Sequence, residues 1–161
     1  MKEAAIAYEI YGYMESLDRE ELIIMGDLFT MIGIPARAAQ YYEAAMGEAA
    51  TGEELEKLSV AYYSAYQFDD AVTAVNRALE KGVTAERLLL KAQLYYLQDR
   101  FKEAKETYIA AAAHVTKDGH EWLMAGYCAM REGEIKTARE LLTKAAQFTA
   151  QRGDAMAMIK M

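Results

Sequence analysis

Residues 18–50 read DREELIIMGDLFTMIGIPARAAQYYEAAMGEAA, and the landmarks of this stretch return three more times along the chain. A repeat of about 34 residues is a sequence signature of stacked helix pairs. The sequence therefore predicts a repetitive all-α structure that offers a surface for binding rather than an enclosed catalytic centre. Three series share steps of 33, 33 and 34 residues: Ala38, Ala71, Ala104 and Ala138; Ala45, Ala78, Ala111 and Ala145; and Asp18, Thr51, Thr84 and Asp118.

The third series marks the predicted start of the first helix in each repeat. A Ser, Thr or Asp side chain before a helix accepts hydrogen bonds from the free N–H groups of the first turn. A Glu three residues later can reach back to the capping residue and complete a capping box. The predicted boxes are Asp18 with Glu21, Thr51 with Glu54 and Asp118 with Glu121, whereas Thr84 keeps the cap but is followed by Arg87.

Small residues recur where the two helices of each pair should meet. The first helix has one offset that is always small, and the second helix places a larger residue between its two alanines. A small residue lets the neighbouring helix approach closely, as ridges-into-grooves packing requires. The small residues are Gly26, Ser59, Ala92 and Gly126, and the larger ones are Tyr42, Val75, Tyr108 and Leu142.

Composition argues against several classes of function. The 161 residues carry a net charge of −7, which would repel a phosphate backbone and disfavours nucleic-acid binding. No apolar run approaches the roughly 18 residues of a membrane span. Cys128 is the single cysteine, and His114 and His120 lie six positions apart across a helix break. We therefore expect no catalytic residue, no cofactor site and no metal site.

This pattern resembles the tetratricopeptide repeat (TPR) family, whose motif places Trp, Leu-Gly and Tyr on the first helix and Ala, an aromatic and Ala on the second. Trp122, Ala125 and Gly126 match the first helix best, and residues 33–45 match the second. The late Pro of the family is missing, and Lys91 stands where the family prefers Leu. The resemblance implies an all-α, right-handed α-solenoid of about four TPR helix pairs with flanking partial-repeat helices.

The resemblance also implies a single TPR domain over residues 1–161. Because residues 153–161 lack the polar face of a terminal repeat, we expect the chain to be part of a larger bacterial protein or assembly. A homo-oligomer formed through open terminal repeats is the alternative. The expected segments are a leading helix at 3–17, repeats at 19–51, 52–84, 85–118 and 119–152, and the start of a further helix at 153–161.

By the same resemblance, the first helices line a concave groove that binds a peptide. The residues at the groove offsets are mostly apolar or aromatic, which suits an apolar stretch of a partner protein. The carboxylate clamp of some TPR co-chaperones is mostly missing, since its positions hold Ile23, Asp27, Lys57, Glu86 and Leu90. An alternative interpretation is that the tyrosines of this set only pack against adjacent helices. The predicted groove residues are Ile23, Asp27, Thr30, Glu56, Val60, Tyr63, Leu89, Gln93, Tyr96, Leu123, Tyr127 and Met130.

The sequence thus predicts a non-enzymatic scaffold that binds a protein or peptide in the concave groove. Two alternatives stay open: a structural segment that assembles with copies of itself, and the targeting arm of an enzyme whose catalytic domain lies outside this chain. A cytoplasmic location is the default. Residues 119–127 and Gly133 are similar to TPR proteins associated with bacterial TonB-type energy transduction, which keeps the periplasm open for an exported parent protein.

Overall fold

The computed structural model describes residues 10, 12, 16–114 and 117–160, and these residues form nine helices and no strand. Each helix has 8 to 14 residues. The leading helix predicted at 3–17 lies outside the described residues except for isolated positions. In chain order the helices are α1 (Arg19–Met31), α2 (Pro35–Ala45), α3 (Gly52–Ser64), α4 (Phe68–Lys81), α5 (Ala85–Leu97), α6 (Phe101–His114), α7 (His120–Arg131), α8 (Ile135–Ala145) and α9 (Arg152–Ile159).

The chain divides into two compact units, residues 1–82 and 83–161. In unit 1, α1 packs on α2, α2 on α3, and α3 on α4. In unit 2, α5 packs on α6, α6 on α7, and α7 on α8, while α9 packs on α8 and also touches α7. The prediction of a single domain stays a prediction. None of the described helices is long and apolar enough to cross a membrane.

Three of the four predicted helix caps are present. Glu21 N–H donates to Asp18 at 2.9 Å, and the Asp18 N–H donates back to the Glu21 carboxylate at 2.9 Å. The second box has the same two bonds, at 3.2 and 2.8 Å, between Thr51 and Glu54. The Thr84 hydroxyl accepts a hydrogen bond from the Arg87 N–H at 3.2 Å, and no box completes this cap, as predicted.

The third predicted box, between Asp118 and Glu121, is wrong. Helix α7 begins at His120, and its N-cap is Gly119 with a φ of 80°. The Asp118 carboxylate instead accepts from the His120 N–H at 3.0 Å. Phe148 packs so closely that a Cβ at position 119 would lie 2.4 Å from its ring, so only glycine fits this turn. The left-handed glycine takes the capping position, which leaves Asp118 one residue too early.

The small residues of the first helices do allow close approach, as predicted. A Cβ at Gly26 would lie 2.4 Å from the Tyr42 ring, and one at Gly126 would lie 2.7 Å from the Leu142 side chain. Ser59 occupies the same offset, is fully buried, and satisfies its hydroxyl by donating to a backbone carbonyl of α4 at 2.8 Å. The helix pairs therefore meet at the positions that the repeat marks.

The turn inside each helix pair repeats one backbone geometry. The residue after the C-cap has a positive φ, at Gly33 (76°), Tyr66 (60°), Asp99 (56°) and Gly133 (76°). The next N–H then returns to a carbonyl of the last helical turn, as in a Schellman motif. All four bonds measure 2.9 Å and join Ile34 to Phe29, Gln67 to Tyr62, Arg100 to Tyr95 and Glu134 to Ala129. The repeat therefore extends to backbone conformation.

Candidate binding groove

Unit 1 contains an open groove of about 650 Å³ between α1, α2 and α3. Its lining comes from the last two turns of α1, the turn that follows, α2 and α3. The lining residues are Asp27, Thr30, Gly33, Pro35, Tyr42, Glu53, Glu56, Lys57, Val60, Ala61 and Ser64. We call this cavity the unit 1 groove.

A polar network centred on Asp27 crosses the unit 1 groove. The Tyr42 hydroxyl donates to Asp27 Oδ1 at 2.6 Å, and Lys57 Nζ lies 3.0 and 3.3 Å from the two carboxylate oxygens. Thr30 Oγ1 donates to the Gly26 carbonyl at 2.9 Å and lies 3.5 Å from the Tyr42 hydroxyl. Asp27 is therefore held from both sides, by a phenol and by an ammonium group.

The repeat explains why Tyr42 can reach Asp27. Gly26 has no side chain, so the Tyr42 ring lies directly against the α1 backbone. Tyr42 as a whole is 3% exposed, and its hydroxyl donates to the next residue of α1, Asp27. Burial, assisted by the Asp27 carboxylate, raises the pKa of Tyr42 to about 12. The hydroxyl therefore stays protonated at neutral pH and donates its hydrogen to the carboxylate.

The remaining walls combine apolar surface with negative charge. Val60 is 42% exposed on α3, beside the buried Ala61, and Pro35 contributes apolar surface from α2. Of the charged lining side chains, three are the carboxylates of Asp27, Glu53 and Glu56, and one is the ammonium of Lys57. Apolar area beside a few placed polar groups is the usual composition of a site for a ligand or peptide.

The structure brings four of the predicted groove residues of unit 1 together: Asp27, Thr30, Glu56 and Val60. Ile23 is half-buried and lies outside the lining, as does Tyr63. Tyr63 packs on Phe68, the first residue of α4, with ring centroids 6.4 Å apart.

Sequence reasoning assigned Tyr42 to the packing between helices and did not place it in the groove. The pairing of Gly26 with Tyr42 could have indicated this role. A tyrosine ring that packs over a glycine places its hydroxyl beside the next residue of the same helix, here Asp27. Lys57 was considered only as a clamp position, and its partner Asp27 lies 30 residues away. Such a pair becomes visible only when two repeats are stacked.

The predicted residues of unit 2 do not form one comparable groove. Leu89, Gln93 and Tyr96 line a smaller cavity of about 340 Å³. Leu123 is 7% exposed and lies in the same buried cluster as Ala155, because α9 packs on this side of the unit. Met130 packs against the same cluster.

The aromatic residues of unit 2 are engaged in contacts within the unit. Tyr96 packs on Phe101 and Tyr127, with centroid distances of 6.0 and 5.9 Å. The Tyr127 hydroxyl accepts from Arg131 at 3.2 Å, and the Arg131 guanidinium lies 4.2 Å over the Phe101 ring. These contacts agree with the alternative in which the tyrosines pack against adjacent helices.

The described residues show no arrangement suited to catalysis by a metal or a thiolate. In the described part of the chain, no group of three or more His, Cys, Asp or Glu side chains has an arrangement that could hold a metal ion. Cys128 is fully buried, and burial raises the pKa of its thiol to about 11, so the thiol stays protonated.

Solved structures provide the comparison with known proteins. A crystal structure of MamA aligns with a TM-score of 0.77 at 18% identity, covering 94% of this chain and 90% of that chain. YrrB, described as a TPR protein with an unusual peptide-binding site, aligns with a TM-score of 0.70 at 16% identity, covering 94% and 79%. The APC/C hetero-tetramer Cut9-Hcn1 aligns with a TM-score of 0.63 at 15% identity, covering 97% of this chain and 33% of that chain.

Likeness at these identities shows the fold and not the function. No family model and no curated protein matches the sequence. The all-α fold of TPR helix pairs predicted from the sequence is confirmed.

Proposed function

We propose that this chain, which has the TPR-type fold, is a non-enzymatic scaffold that binds a segment of a partner protein in the unit 1 groove. The observation that carries the proposal is the open cavity of about 650 Å³, whose walls include four positions expected to face a ligand. A cavity of this size is within the range of known ligand sites, which span about 300–1,000 Å³.

The chemistry of the walls supports a peptide as the ligand. The exposed Val60 and the half-buried Pro35 can bury apolar side chains of a peptide, while Asp27 and Thr30 offer polar groups that fix its orientation. The fold supports the same conclusion, because one structural neighbour, YrrB, is described as having a peptide-binding site. A terminal carboxylate is a poor ligand here, since carboxylates of the groove itself would repel it.

Selection from a displayed library of random peptides tests the proposal. Peptides that bind the intact chain are synthesised, and their dissociation constants are measured by fluorescence anisotropy. Val60→Gln removes an apolar contact from the groove while keeping a good helix former. Because about one buried apolar side chain is lost from the interface, we expect binding to weaken about tenfold.

Ile24→Gln is the matched control. Ile24 lies on α1 of the same unit, is 44% exposed, and lies outside the groove lining, so a comparable replacement of a β-branched apolar side chain by Gln is made at nearly the same exposure. Circular dichroism must show that both variants keep the helical content of the parent. The proposal is wrong if no peptide is enriched, or if Val60→Gln and Ile24→Gln bind the selected peptides equally well.

A further inference from the structure

We infer that the unit 1 groove selects a partner segment carrying a Lys or Arg side chain within an apolar stretch, and that Asp27 receives this cation. The inference rests on the proposed function and adds to it the chemistry of the partner. Three observations carry it: the way Asp27 is held, the exposure of its present ion pair, and the charge of the surrounding walls.

Asp27 is positioned before any partner arrives. The hydroxyl of the almost fully buried Tyr42 donates to Oδ1 at 2.6 Å and restrains the position of the carboxylate. A group fixed in advance loses little conformational freedom on binding, so more of the interaction appears as affinity. Tyr42 is therefore a positioning residue for Asp27.

Lys57 occupies the place of the incoming cation. Its Nζ lies 3.0 and 3.3 Å from the two oxygens of Asp27, and the two side chains are 43% and 44% exposed. An ion pair this accessible to water contributes little to stability, so exchanging Lys57 for another cation has a small cost. A guanidinium group has the advantage that it can engage both carboxylate oxygens in parallel.

The walls favour a cation over an anion. Glu53 and Glu56 lie on α3 within one turn of Lys57, which gives the groove three carboxylates and one ammonium group. An excess of negative charge in a concave surface attracts basic segments and repels acidic ones. Val60 and Ala61 follow along the same helix, so apolar side chains beside the cation meet apolar surface.

The test pairs peptide variants with protein variants. Peptides selected on the intact chain should carry a shared Lys or Arg, and each is also synthesised with Gln at that position. The exchange should weaken binding to the parent chain by about fivefold, which is the upper end of what one partly exposed charge pair contributes. The same exchange should weaken binding to Asp27→Asn by less than about twofold, because that variant has lost the receiving charge.

Lys57→Gln separates recognition of the cation from a purely structural role of Asp27. Removing the competing ammonium should tighten binding of the basic peptide by about twofold or more. Binding of the Gln peptide should not tighten. If the ion pair has a structural role instead, Lys57→Gln would weaken the binding of both peptides. Circular dichroism checks that each variant is folded, and if Asp27→Asn is not, the Lys57→Gln comparison decides.

The outcomes separate this inference from the proposed function. One outcome is that selected peptides bind the parent chain, bind Val60→Gln more weakly, and yet share no basic residue. In that case the inference is wrong and the groove function stands. The inference is also wrong if replacing the shared Lys or Arg by Gln weakens binding equally to the parent chain and to Asp27→Asn. If Val60→Gln leaves binding unchanged, the groove function itself fails.

Discussion

Gly133→Ala should lower the free energy of unfolding of unit 2 by about 1 kcal/mol, although the added methyl group meets no neighbouring atom. Nothing lies within 4 Å of a Cβ built at Gly133, but its φ is 76°. A left-handed backbone costs an L-residue about 1–2 kcal/mol. The reduced freedom of alanine in the unfolded chain returns about 0.4–1 kcal/mol. The net loss is therefore about 1 kcal/mol and comes from the backbone alone.

Gly153→Ala is the matched control for this prediction. Gly153 also lies in unit 2, as the second residue of α9, with open space where a Cβ would stand and without a left-handed backbone. Alanine is the better helix former by about 1 kcal/mol in a helix interior, so this variant should be neutral or more stable. The same chemical change is thus predicted to destabilise unit 2 at Gly133 but not at Gly153, 20 residues further along the chain.

Urea denaturation of the full chain measures both effects. The chain has one tryptophan, Trp122 on α7, so its fluorescence reports the unfolding of unit 2 directly. Equal m-values in parent and variants would show that the same transition is being compared. The reasoning on the turns is refuted if Gly133→Ala and Gly153→Ala move the midpoint in the same direction.

Three further predictions concern packing and ionisation. Tyr42→Phe should lower the free energy of unfolding, measured by chemical denaturation, by about 1 kcal/mol, because it deletes a hydrogen bond to the half-exposed Asp27 carboxylate that water can partly replace. An unchanged denaturation midpoint would contradict this. Gly126→Leu should cost about 1–3 kcal/mol by overpacking against Leu142, and an unchanged melting temperature would argue against the observed helix contact. Stability should fall as the pH rises from about 10 toward 12, because burial raises the pKa of Tyr42 and of Tyr62 to about 12 while the unfolded chain ionises near 10. Urea midpoints measured over this range should fall less steeply for Tyr42→Phe, and equal slopes would contradict the raised Tyr42 pKa.

The helix pairs could be predicted because close packing restricts residue type at regular intervals. Gly26 and Gly126 have a partner side chain where a Cβ would stand, so small residues must recur at that offset. The helix caps at Asp18 and Thr51 could also be predicted, since each side chain accepts a hydrogen bond from the adjacent first turn of its helix.

The turns were harder to recognise from residue types. Gly33 and Gly133 indicate a left-handed position, but Tyr66 and Asp99 adopt the same conformation without glycine. The surrounding helix pair holds these residues there, and this restraint leaves no mark on the residue itself. The missing box at Asp118 has a similar origin, because Phe148 and its contact with Gly119 lie outside the local capping pattern.

The sequence predicts those lining residues of the unit 1 groove that lie at the repeat offsets, but not those that depend on how the repeats stack. Asp27 and Val60 lie on the expected faces of their helices. Lys57 joins the site through an ion pair between repeats, and Leu123 is removed from the surface in a cluster that includes Ala155 of α9. Both outcomes depend on how successive helices stack, which the pattern within one repeat does not contain.

The most direct test of the account is an NMR titration of the isotopically labelled chain with a selected peptide. The account predicts that the largest amide shifts lie in unit 1, at Asp27, Thr30, Val60 and Ala61. Shifts confined to unit 2, around Gln93, would contradict it.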